Sequence, residues 1–123
     1  MMNDTACHEF CDLHTHTRAS DGMNAPAENV RLAKEKGLAA IAITDHDTVA
    51  GIEEALVAGQ QYGITVVPGV EISTVAAGRD IHVLGYYIDT GDERLQSRLQ
   101  SLRATREARN DLILEKLHAL GCR

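Results

Sequence analysis

Hydrophobic and polar positions along this 123-residue chain change period several times, and each change predicts an element. Phe10 to Thr15 alternates, which predicts a strand with Asp12, His14 and His16 on one face and Cys11, Leu13 and Thr15 on the other. A helix is expected from Asn24 or Ala25. Pro26 suits its first turn, Glu28 and then Lys34 and Lys36 complement its two ends, and Gly37 fits the position after its last turn. The unbroken apolar run Leu38 to Thr44 reads as a strand covered on both faces. Thr48 is placed to cap a second helix from Val49 to Tyr62, with Ile52, Ala55, Leu56 and Gly59 along one side and Gly63 ending it. Ile64 to Val67 follows as a third strand, closed by Pro68-Gly69. This β-α-β-α-β order implies parallel pairing with right-handed crossovers.

The next step changes the pattern. Six residues, Thr74 to Arg79, separate a Val70–Ser73 strand from an Asp80–Tyr86 strand. A parallel crossover needs roughly a dozen or more, so an antiparallel hairpin is expected, turning at Ala76-Ala77-Gly78. With a loop of two or four residues, Glu71 is expected directly opposite His82, their Cβ atoms about 4.5–5.5 Å apart; a three-residue loop would make them diagonal. From Asp92 onward Leu95, Leu99, Leu102, Ala108, Leu112, Leu117 and Leu120 keep approximate helical spacing through a charged background, as one long helix or two shorter ones.

Composition narrows the class. The chain is 44% hydrophobic with no Trp and one Phe, which suits one small globular unit with an Ala, Val, Ile and Leu core. Twelve basic against eighteen acidic residues leave a net charge of −6 and no basic patch, which argues against a duplex nucleic acid as partner. No apolar run has membrane-spanning length, and the first residues lack the features of a signal peptide, so no membrane partner is expected. The cysteines, Cys7, Cys11 and Cys122, form no paired framework, which favours a cytoplasmic location. Cys7-His8-x-x-Cys11 has no second pair to complete a metal site, and Cys11 is read as an outward-facing thiol covered by a helix.

The chemistry gathers at strand ends. A buried strand face carrying Asp12, His14 and His16 is costly unless something satisfies it, and a metal ion does so. Taken singly, each group has a plainer reading. His14-x-His16 occurs by chance on exposed strands, Asp45-His46-Asp47 can be a polar turn helping Thr48 to cap, Glu71 can be a surface residue, and His82 a satisfied core histidine. Taken together they lie where α/β sheets form sites, and mixed His, Asp and Glu donors suit Zn, Mn or Fe.

His14-x-His16 with Ser20-Asp21-Gly22, then Thr44-Asp45-His46-Asp47, Pro68-Gly69-Val70-Glu71 and His82-x-x-Gly85-Tyr86 resemble the PHP (polymerase and histidinol phosphatase) superfamily of metal-dependent phosphoesterases. The resemblance runs from about Asp12 to Asp89 and is nearest the stand-alone nucleoside 3′,5′-bisphosphate phosphatase branch. It implies an α/β fold, a distorted (β/α)7 TIM-like barrel of which this chain supplies about the first half. Residues 1–90 would be the N-terminal part of the phosphoesterase domain and residues 91–123 the start of an inserted helical subdomain.

The resemblance also implies a ligand set of His14, His16, Asp21, His46, Glu71 and His82. His14, His16 and Glu71 would hold one ion, Glu71 would bridge to a second that also takes His82, and Asp21 and His46 would hold a third. Mn2+ is the first expectation, with Zn2+ or Fe2+ as alternatives. Asp12, Asp45 and Asp47 would orient imidazoles, with Asp45 and Arg18 in supporting catalytic roles. Arg18 would fork onto a substrate phosphate, or else be a solvated loop arginine. The implied activity is hydrolysis of a phosphomonoester of a small nucleotide or short single-stranded oligonucleotide by metal-activated water.

The resembled pattern has three further ligands, a later histidine and an Asp-x-His pair, with no counterpart here. The only histidine after His82 is His118, in helical surroundings. The chain therefore reads as truncated, with sheet edges open to self-association. Alternatives are a catalytically incomplete metal-binding fragment or assembly domain, and, within the superfamily, histidinol-phosphate phosphatase or polymerase-associated exonuclease activity.

Overall fold

The computed structural model describes residues 10–121, so Cys7, His8 and Cys122 lie outside the described residues. Four strands, β1 (Cys11–Thr15), β2 (Ala40–Ile43), β3 (Thr65–Ala76) and β4 (Arg79–Tyr86), form one sheet in the order β1-β2-β3-β4. The first three are parallel, and β4 returns antiparallel to β3. Helices α1 (Pro26–Glu35) and α2 (Ile52–Tyr62) are the crossovers, and α3 (Glu93–Ala119) follows β4. The architecture is the mixed α/β arrangement expected for the first part of a TIM-like barrel.

The core lies between the two crossover helices and the central strands. Val30 and Ala33 of α1, Ile52, Ala55 and Ala58 of α2, Ile41 and Ile43 of β2, and Ile64 and Val66 form one buried cluster. Helical spacing on one side and strand alternation on the other deliver these side chains to a common layer. Gly37 and Gly63 stop the helices at φ 79° and 73°, a left-handed conformation cheap for glycine.

Four local expectations are corrected. Helix α2 begins at Ile52, not Val49; Thr48 Oγ1 instead accepts the Ala50 N–H at 3.2 Å, closing a local turn before the helix. Pro68-Gly69 does not end the third strand. Pro68 pairs with Ile43, the last residue of β2, and lies one residue beyond the Gly69–Tyr86 pair that ends the β4 ladder. A residue lacking an N–H fits where both neighbours stop. Strand β3 thus pairs parallel along its first part and antiparallel along its second. The hairpin has a two-residue turn, Ala77 and Gly78, both at positive φ (53° and 76°), as a tight antiparallel connection requires. Its register sets Glu71 opposite Leu84 and Ser73 opposite His82, so Glu71 and His82 are diagonal neighbours. Lastly, β1 is an exposed edge strand: Leu13 is 46% accessible, and Cys11 is a free, exposed thiol that no helix among the described residues covers.

Helix α3 is one continuous element of 27 residues. Asp92 caps it, its carboxylate accepting the Arg94 and Leu95 N–H groups. Leu99 is the residue it buries among the described residues. Leu112, Ile113, Leu114 and Leu117 remain exposed. No helix among the described residues is long and apolar enough to cross a membrane.

Candidate metal centre

The six expected ligands come from every strand of the sheet or from the loop that follows it. His14 is in β1, with His16 and Asp21 on the β1–α1 loop. His46 follows β2, Glu71 is in β3 and His82 in β4. The structure brings all six together in three overlapping groups: His14, His16 and Glu71; His16, Asp21 and His46; and His46, Glu71 and His82. Within each group the donor atoms lie within 4.8 Å of one another. His16 and His46 therefore each stand between two groups, which the sequence did not indicate.

Glu71 is the hub. Its side chain is 4% exposed, with His14 Nε2 and His16 Nε2 each 2.7 Å from Oε1 and His82 Nδ1 2.7 Å from Oε2. Burial pushes this carboxyl up, but the hydrogen bonds from His14, His16 and His82 outweigh it and hold it at about 2. Asp21 Oδ1 lies 2.7 Å from His16 Nδ1 and Asp21 Oδ2 3.4 Å from His46 Nε2. Burial raises the Asp21 carboxyl, and the facing His16 and His46 imidazoles bring it below its ordinary value. Burial lowers the His46 imidazole, more than the Glu71 and Asp21 carboxylates raise it.

The backbone fixes this hub. The Glu71 N–H donates to Asp45 O at 3.0 Å, and Glu71 O accepts the Asp47 N–H at 2.9 Å, so the segment after β2 continues beside β3. The β1–α1 loop is tied down by Asp45, which is buried. Its carboxylate accepts the Thr17 N–H at 2.6 Å, the Thr17 hydroxyl at 2.7 Å and the Ser20 hydroxyl at 2.7 Å. Gly22 closes the same loop so tightly that a Cβ would lie 2.4 Å from His16 O.

The expected roles of the three aspartates are corrected by these partners. None hydrogen-bonds an imidazole among the described residues. Asp12 accepts the His14 backbone N–H, Asp45 holds the loop, and Asp47 bonds Ser73 and α3. Arg18 is exposed outside the cluster, its guanidinium 3.4 Å from Met23 O. His82 is 46% exposed, not a core histidine.

Thr17, Arg103 and Arg106 are not marked by the sequence motifs, and Ser20, which lies in one of them, has no role assigned by it; its hydroxyl bonds Asp45. The signal for the arginines was present: Leu99, Arg103 and Arg106 recur at helical spacing and mark the face of α3 that meets the sheet.

The donor set fits divalent ions. Four imidazoles stand edge to face, with centroids 5.1, 4.5 and 5.1 Å apart from His14 through His16 and His46 to His82. Gathered imidazoles repel one another when protonated, whereas neutral ones present lone pairs, and a buried carboxylate completes the set.

The PHP domain family matches residues 12–119 of the chain. A Haemophilus influenzae protein named 5′-3′ exoribonuclease is 44% identical over 110 residues, covering 89% of this chain and 40% of that protein. A Chromobacterium violaceum protein named 3′,5′-nucleoside bisphosphate phosphatase is 36% identical over 110 residues, covering 89% of this chain and 39% of that protein. A Bifidobacterium adolescentis crystal structure, assigned as a metal-dependent phosphoesterase, superposes with a TM-score of 0.85 at 35% identity over 91% of this chain and 39% of that one. The chain thus spans about 40% of the length of the curated relatives it matches.

Proposed function

Because the chain belongs to the PHP domain family, we propose that its six-residue cluster binds divalent ions and serves hydrolysis of a phosphate ester on a nucleotide-like substrate. The observation that carries this reading is Glu71, a buried carboxylate with three imidazole nitrogens at 2.7 Å. His14, His16 and Glu71 hold one ion, and Glu71 reaches a second with His82 and His46. Asp21 and His46, with His16 beside them, hold a third. Mixed nitrogen and oxygen donors suit Mn2+, with Zn2+ or Fe2+ as alternatives. Bound ions supply charge neutralisation at the phosphoryl oxygens and a water made nucleophilic near neutral pH. Asp45 acts by holding the loop that carries His16 and Asp21, and Arg18 reaches a substrate phosphate from the same loop.

The substrate class is a nucleoside 3′,5′-bisphosphate or the end of a short single-stranded oligonucleotide, in the cytoplasm. The two relatives' names support each in turn. The ligands lie between His14 and His82, and α3 forms a helical unit that follows them in the chain. The test is phosphate release from adenosine 3′,5′-bisphosphate, and mononucleotide release from a 5′-phosphorylated short RNA, by the Mn2+-loaded protein. Activity on one of them, lost in His14→Ala and in His82→Ala, supports the reading. Metal binding without turnover on either leaves the alternative of a metal-binding assembly domain.

A further inference from the structure

Asp47 is a buried carboxylate that no candidate ligand touches through its side chain, yet it joins three elements. It is 1% exposed and sits at φ 54°, an uncommon conformation for a residue with a Cβ. Its N–H donates to Glu71 O at 2.9 Å, and its Oδ1 accepts the Ser73 N–H at 2.9 Å, so it grips β3 on both sides of Ile72. Its Oδ2 accepts Arg106 Nη2 at 2.8 Å, and its own carbonyl accepts Arg103 Nη1 at 2.8 Å. Arg106 also donates to the Ser73 hydroxyl. A buried carboxylate needs a cation, and the one in contact comes from α3, which otherwise buries only Leu99 among the described residues.

The neighbours of this junction are ligands. His46 precedes Asp47 in the chain, and Glu71 shares a backbone bridge with His46. We propose that Asp47 and Arg106 are positioning residues for the metal centre: the pair locks the His46 segment against the Glu71 strand and makes docking of α3 and binding of the ion a single linked equilibrium. Linkage works both ways. If a docked α3 favours the ligand geometry, a bound ion must favour the docked α3 by the same factor. Water screens the pair from the Arg106 side only, since Asp47 is buried, and its effect on the ion comes from the geometry it imposes on two ligands.

The proposal rests on the metal-binding reading, and the test separates the two. Mn2+ affinity is measured by calorimetry, and amide exchange is followed by mass spectrometry, in wild type, Arg106→Ala, Arg106→Lys and Arg98→Ala. Arg98 lies on the same helix without these contacts. The expected result is a loss of roughly tenfold or more in Mn2+ affinity for Arg106→Ala, partial recovery in Arg106→Lys, and no change in Arg98→Ala. Mn2+ should slow exchange across residues 99–106 in wild type and not in Arg106→Ala. Unchanged affinity in Arg106→Ala overturns the proposal. If wild type binds no ion, the metal reading fails and the linkage falls with it, whereas an ion bound equally well by wild type and Arg106→Ala overturns the linkage alone.

Discussion

Glu71 and His82 sit diagonally across the β3–β4 ladder, and still Glu71 Oε2 and His82 Nδ1 meet at 2.7 Å. The facing partner of Glu71 is Leu84, while His82 faces Ser73. Diagonal neighbours on one sheet face lie about 7–8 Å apart at the backbone, within reach of a long carboxylate and an imidazole. The register leaves Ser73, a small side chain, beside the contact, and its hydroxyl free to meet Arg106.

Glu71 belongs to two ligand groups and Asp21 to one. Glu71→Ala should therefore remove more bound metal than Asp21→Ala, as read by elemental analysis after dialysis. Equal losses would show that Glu71 does not bridge.

Of the three ions its ligand groups could hold, the wild-type chain should retain about one or two, because the further ligands of the resembled pattern have no counterpart among its residues. Absence of any transition metal after reconstitution and dialysis would sink the site assignment.

Burial keeps His46 neutral to a lower pH than an ordinary imidazole of 6.5. A neutral imidazole is the binding form, so protons compete at His46 only below that value. The metal-affinity advantage of wild type over His46→Gln should persist as pH falls to 6.5 and shrink below it. An advantage already shrinking above pH 6.5 would contradict the burial account.

The Glu71 carboxyl is held at about 2 against an ordinary 4.5. Its folded value is depressed, so its contribution to stability is present above pH 4.5 and is lost as pH falls through about 2. Urea midpoints of the metal-free protein should decline across that window, and Glu71→Gln should flatten the decline. A parallel decline in both proteins would count against the hydrogen bonds from the three histidines.

Gly69 is where β3 is pressed between both neighbours. A Cβ there would lie 2.8 Å from Gly85 O, 2.9 Å from Thr44 Cγ2 and 3.2 Å from Ile43 O. Gly69→Ala should cost about 1–3 kcal/mol and weaken metal binding, since it separates β3 from strands and loops that carry ligands. Gly78→Ala is the control: its Cβ meets nothing within 4 Å, and the φ of 76° costs stability without touching the site. Loss of metal affinity in Gly78→Ala equal to that in Gly69→Ala would refute the packing argument.

Much of this was legible because it depends on local pattern. The strands, the crossover helices and the glycine stops follow from periodicity and left-handed positions, and the six clustered residues from four short motifs and the family they resemble, although Glu71 and His82 lie within their strands rather than at strand ends. The misreadings arose where partners are remote in sequence. Pro68 looked like a strand end because its missing N–H is harmless only where β2 and β4 both stop. The hairpin register turned on a one-residue shift of the turn to Ala77-Gly78. Asp45 and Asp47 looked like companions of His46, but their hydrogen bonds run to Thr17, Ser20, Ser73 and Arg106, residues up to 59 positions away.

The contact between His14 and Glu71 spans 57 residues of chain, and the path between them includes both crossover helices and the whole of β2. An ion gripping both ends closes that loop as a removable cross-link would, and the entropy of closure grows with the logarithm of loop length. Parallel pairing is slow to form because such closure precedes its reward. Metal availability would then bear on how quickly β1 finds its place at the sheet edge, as well as on what the finished protein does.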